Sequence, residues 1–107
     1  MKNKVNSSAV KKGPEELFIE EASMALEMKG TNQVMWDCSG GVFVWINEDG
    51  EVITESKILP KERVRFIENI LNEAFIRRKL INACRKAGLK VALVNCNRIK
   101  VFRASAQ

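Results

Sequence analysis

Apolar residues recur along this chain at two different spacings, and the change of spacing divides it into elements. Between Pro14 and Lys29, Phe18, Ala22, Ala25 and Leu26 fall at helical intervals, and Leu17, Met24 and Met28 widen the apolar face. Pro14 suits a first helical turn, Glu15 and Glu16 suit its positive end, and Gly30 is a stop signal, so the spacing predicts a helix over 14–29. The next three apolar runs are short: Gln33–Asp37, Val42–Ile46 and Glu51–Glu55. The middle run, Val42-Phe43-Val44-Trp45-Ile46, is apolar on both faces and reads as a central strand. Ser39-Gly40-Gly41 and Asn47-Glu48-Asp49-Gly50 are turn signals, the second that of a tight hairpin with positive φ angles supplied by Asp-Gly. Together these runs predict an antiparallel meander.

Helical spacing returns after Pro60. Val64, Ile67, Leu71 and Ala74 make one stripe, and Ile76, Leu80, Ala83, Cys84 and Ala87 make another. At about 100° per residue the second stripe lies on the opposite side of a continuous helix from the first. Either the helix breaks near Arg77, or one long helix is covered on different sides at its two ends. No Pro or Gly stands between 61 and 87, which favours one continuous helix. Gly88 ends it. Val91-Ala92-Leu93-Val94 then reads as a buried strand, Asn95-Cys96-Asn97 as a turn, and Arg98–Arg103 as a strand with one wet face. The expected fold is α+β: one domain over 14–107 in the order α-β-β-β-α-β-β, with an antiparallel sheet of about five strands and two or three helices behind a flexible basic tail over 1–13.

Composition narrows the chemistry. The chain has 107 residues, 46% hydrophobic and 29% charged, which suits one globular domain. No apolar run approaches the roughly 20 residues of a membrane span, and no apolar stretch of signal-peptide length follows the N-terminal basic residues. A cytoplasmic protein that makes no membrane contact is expected. Histidine is absent, which removes Ser-His and Cys-His catalysis. The three cysteines, Cys38, Cys84 and Cys96, show no C-x-x-C spacing and read as reduced thiols, not as a metal site or a disulfide framework. No bound cofactor or metal is expected.

Charge changes the picture most. Residues 1–56 carry ten acidic and five basic side chains, whereas 57–107 carry three acidic and thirteen basic. Arg78, Asn82 and Arg85 share one helix face, Lys79 and Lys86 flank it, and Arg77 lies on the other side. Arg and Asn bind bases or phosphates through two prongs, and Lys supplies phosphate charge. Arg98, Lys100 and Arg103 would extend the patch. The leading expectation is therefore a non-enzymatic nucleic-acid-binding or nucleic-acid-associated small regulatory protein, acting by phosphate neutralisation with little base-specific readout. Against it stands an arrangement in which the two halves face one another and their fields cancel.

Two further readings have residues behind them. A helix with two apolar faces suits a protein–protein interaction module, a homodimer or oligomeric adaptor or inhibitor of the kind carried by mobile genetic elements, with Ile76 and Leu80 in the contact. A nuclease-like Mg²⁺ site would combine Glu55-Ser56-Lys57 with Asp37 and with Glu20 or Glu21. Trp36, Phe43 and Trp45 sit in strand runs and are assigned to the core, not to base stacking.

Overall fold

A computed structural model describes residues 12–39, 42–95 and 97–104. The expected tail, apart from Lys12 and Gly13, and the expected turn residues Gly40, Gly41 and Cys96 lie outside the described residues. Helix α1 spans Pro14–Lys29. Strands β1 (Gln33–Asp37), β2 (Val44–Ile46) and β3 (Val52–Glu55) follow. Helices α2 (Pro60–Asn72) and α3 (Ala74–Lys86) precede β4 (Leu89–Leu93) and β5 (Arg98–Arg103). The five strands form one sheet in the order β3-β2-β1-β5-β4, and every neighbouring pair is antiparallel.

The ends of α1 follow its sequence signals. The Gly13 amide donates to Glu16 Oε1 at 3.0 Å, and Pro14 opens the helix. Gly30 turns left-handed at φ 60°, which lets its amide and that of Thr31 close on the carbonyls of Glu27 and Leu26. The hairpin between β2 and β3 is less tight than expected. Only Gly50 has positive φ (86°), and Asn47 Oδ1 organises the turn by accepting from the amides of Asp49 and Glu51, both at 2.9 Å.

One core lies between the sheet and the three helices. Strand alternation puts Val34 and Trp36 of β1, Trp45 of β2, and Ile99 and Val101 of β5 on the same face. Phe18, Ala22, Ala25 and Leu26 of α1, Phe66 and Ile70 of α2, and Leu80 and Cys84 of α3 pack onto it. Trp36 is the hub of the aromatic cluster, with ring centroids 5.8 Å from Phe66, 5.9 Å from Phe18, 6.1 Å from Phe43 and 6.4 Å from Trp45, and Phe18 packs 5.0 Å from Trp45. Trp36 and Trp45 are thus core residues, as their strand positions imply, and all three residues of β2 are buried. Among the described residues, the opposite face of the sheet carries no helix.

Four sequence expectations are corrected. The long helix is broken: Glu73 is extended (φ −127°, ψ 110°) and separates α2 from α3 without Pro or Gly. A continuous helix over 60–86 would run about 40 Å, far beyond the roughly 20 Å of a strand of five or six residues, so both segments reach the one core only by turning back. The first apolar stripe is also rotated, because Phe66 and Ile70 are buried whereas Val64 and Ala74 are exposed. In α1, Met24 and Met28 do not widen the core face but stand exposed. Finally, β4 is an edge strand in which Leu89 alone is buried, with Ala92 and Leu93 open to solvent.

Candidate nucleic-acid interface

Helix α3 is anchored by Leu80 and Cys84, four residues apart and fully buried. Burial pushes the Cys84 thiol up to about 11, which leaves it a neutral packing group. That anchor fixes which residues face outward. Phe75, Arg78, Lys79, Asn82, Arg85 and Lys86 are all exposed, with Phe75 at 70%. The expected basic face is therefore assembled on one side of one helix, with an aromatic residue at its N-terminal end.

Arg77 does not belong to it. Its Nε donates to the Ile70 carbonyl at 2.9 Å and its Nη2 to the Leu71 carbonyl at 3.0 Å. These are carbonyls at the end of α2 that the break at Glu73 leaves without helical partners. Arg77 thus holds the bend between the helices.

The strand cations divide by alternation. Arg98 and Lys100 lie on the open face of the sheet, in rows with Asp37 and Met35 of β1. Lys90 and Phe102 share the next row with Gln33. Arg103 has the parity of the core residues but is exposed at the end of β5. Arg98 Nε sits 3.5 Å from Asp37 Oδ1, and this ion pair ties β5 to β1. The α3 face and the open sheet face meet at the β4 edge, in a cleft of about 270 Å³ lined by Arg85, Lys90 and Phe102 together with Ile81. Phe102 also lines a larger cleft, about 610 Å³, with Arg103, Thr31, Gln33 and Glu48.

Neutralisation within the chain is slight. Among the described residues there are two ion pairs, Lys12–Glu20 and Arg98–Asp37. None of the described carboxylates pairs with Arg78, Lys79, Arg85, Lys86, Lys90 or Lys100. From Ala74 to Ala104 the sequence holds nine cations and no Asp or Glu. Sheet order then makes this segment one flank of the molecule, because α3 packs on β4 and β4 pairs with β5. Among the described residues, Arg98–Asp37 is the one ion pair that joins the two halves directly. Lys90 and Phe75 were missed in the sequence, although Phe75 stands three residues before Arg78 and seven before Asn82 and so has the same helical phase.

The acidic candidates are not brought together. Asp37 and Glu55 occupy one row of the open face with Val44 between them, about 10 Å apart at the usual strand spacing. Glu20 pairs with Lys12, and Asp37 also accepts from the Ser39 hydroxyl at 2.7 Å. Glu21, 3% exposed, lies on the core side, where it accepts from Trp45 Nε1 (3.2 Å), the Ser56 hydroxyl (3.5 Å) and the Lys57 amide. Among the described residues no three of His, Cys, Asp and Glu are grouped to hold a metal ion. The apolar contact expected of Ile76 and Leu80 is also internal: Leu80 is fully buried in the chain's own core and Ile76 is half-buried. No described helix is long and apolar enough to cross a membrane.

Compared with protein-family models, curated proteins and solved structures, the chain matches none of them.

Proposed function

We propose that this protein binds nucleic acid without catalysing a reaction on it, as a small regulatory or accessory factor whose contact surface is the outward face of α3. One observation carries the reading: Arg78, Lys79, Arg85 and Lys86 stand exposed, with no carboxylate partner among the described residues, in a segment, Ala74 to Ala104, whose sequence contains no acidic residue. Desolvating no ion pair, these cations are free to displace counterions from phosphates, the main source of affinity in non-specific binding. Asn82, between Arg78 and Arg85, adds an amide that can donate to phosphate or to a base edge.

The test is binding of a labelled nucleic acid to the purified protein over a salt series. Affinity is expected to fall linearly in log–log form, with a slope near the number of phosphates contacted. Arg78→Glu combined with Arg85→Glu is expected to weaken binding about 100-fold while the protein stays folded. Normal binding by that folded double variant would remove the α3 face from the reading.

A protein partner is the second reading. Leu59, Val64 and Phe75 are exposed apolar residues along α2 and the start of α3, and the cations beside Phe75 suit an acidic partner. Retention of the salt-dependent nucleic-acid affinity after Phe75→Glu, with loss of a co-purifying acidic protein, would favour it.

A further inference from the structure

We infer that the nucleic acid this protein takes is single-stranded, and that it follows a basic band which turns a corner of the molecule, with Phe75 at one end and Phe102 at the other as base-stacking platforms. This rests on the reading of α3 as a nucleic-acid surface and narrows it.

The unpaired cations are not on one plane. Arg78, Lys79 and Arg85 face outward from the helical layer, whereas Lys90 and Lys100 lie on the opposite, open face of the sheet. A cleft between α3 and the neighbouring ends of β4 and β5 is lined by Arg85 from the helix and by Lys90 and Phe102 from the strands. The α3 portion alone is about 20 Å long, and the path must then bend around a two-layer edge. A duplex with a persistence length of about 50 nm does not follow such a bend without a large deformation energy. A single strand does so readily.

The aromatic residues point the same way. Phe75 is 70% exposed on a helix whose other large apolar residues are at least half-buried, so its position serves no packing need of the core. Phe102 is half-buried on the open face between Gln33 and Lys90, and it lines both clefts at the end of β5. Among nucleic acids, one with unpaired bases offers faces to such rings, and aromatic platforms beside a basic groove are the general means of holding one. The chemistry used, phosphate charge and base face, is common to DNA and RNA.

The experiment compares an oligothymidine, an oligouridine and a duplex, each of about 12 nucleotides per strand to suit typical site sizes, at several salt concentrations. Charge alone favours the duplex, whose phosphates are denser, so preference for a single strand must come from the bases. At least one single strand is expected to bind more tightly than the duplex, and which one does so identifies the sugar. Phe75→Ala and Phe102→Leu are each expected to weaken single-strand binding about tenfold, with the salt slope unchanged because no charge is removed. Phe75 is so exposed that its replacement leaves the core intact, and a thermal melt checks Phe102→Leu. Duplex binding equal to or tighter than both single strands overturns the inference, as does wild-type affinity in the Phe75→Ala variant; in either case the α3 reading stands. Absence of binding to all three probes at low salt removes the α3 reading and this inference together.

Discussion

The two flanks of the sheet use charge in opposite ways. From Lys12 to Ser56, the region of α1 and the β1–β2–β3 meander, there are ten acidic residues and two basic ones, and several of the acids are built into the fold. Glu21 is buried under three donors, Glu16 caps the start of α1, Asp37 holds both Ser39 and Arg98, and Glu51 accepts from Asn47 Nδ2 at 2.7 Å. On the other flank, α3 with β4 and β5 carries nine cations, of which Arg77 and Arg98 have structural partners among the described residues. The rest face solvent or a cleft. Like charges held in one place without partners destabilise a fold by mutual repulsion, and a polyanionic ligand of the kind proposed would relieve it.

Variants can break this contrast or sharpen it. The largest effect is expected on the acidic flank. Glu21→Ala strands the indole N–H of Trp45, the Ser56 hydroxyl and the Lys57 amide, and is expected to lower unfolding free energy by about 3 kcal/mol in urea titrations. A loss below about 0.5 kcal/mol, the range of ordinary surface changes, would mean that Glu21 is no more structural than an exposed carboxylate. Next is the basic flank: Arg78→Glu with Arg85→Glu is expected to weaken nucleic-acid binding about 100-fold, roughly 2.7 kcal/mol, while leaving unfolding free energy unchanged or slightly improved. Arg77→Met separates neighbours in sequence. It is expected to reduce stability by about 1–2 kcal/mol through the two lost carbonyl bonds, with the salt slope of binding preserved. Full stability with a reduced slope in the Arg77→Met variant would return Arg77 to the binding face.

The smallest effect concerns Cys84. Its native thiol is raised by burial to about 11 from 9.0, so the folded protein holds this proton where the unfolded chain releases it. The contribution to stability is complete below about pH 9 and disappears as pH rises towards 11. Thermal melts at pH 8 and pH 10.5 are expected to differ more for the wild type than for Cys84→Ala; an equal difference contradicts this burial effect.

Elements with local signals were legible from sequence. Helix α1 runs from Pro14 to Lys29 as its Pro, Glu and Gly signals imply, and five strands form near the five apolar runs, although β2 starts two residues later than its run and β4 two residues earlier. What failed was set by tertiary packing. The break at Glu73 has no Pro or Gly to announce it; it arises from the size of the sheet and is held by Arg77 reaching back to Ile70 and Leu71. With Val64 and Leu71 taken as core, the phase of α2 was lost, since nothing local ranks them below Phe66 and Ile70. β4 looked buried because Val91-Ala92-Leu93-Val94 is uniformly apolar, and strand order is a property of the whole sheet. Of the site, the outward set on α3 was legible from helical spacing. The separation of Arg77 from the outward face of α3, and the meeting of Lys90, Arg85 and Phe102 in one cleft, needed the fold.

On the proposed reading the basic flank, and not the acidic one, takes the ligand. Backbone amide NMR shifts, recorded as a short oligonucleotide is added to the protein, test it most directly. Perturbations are expected from Phe75 to Lys86, at Lys90 and around Phe102, including Glu48 across its cleft, with α1 and the rest of the β2–β3 hairpin unmoved. Perturbations centred on α1 or on that hairpin, or none at saturating oligonucleotide in low salt, would contradict it.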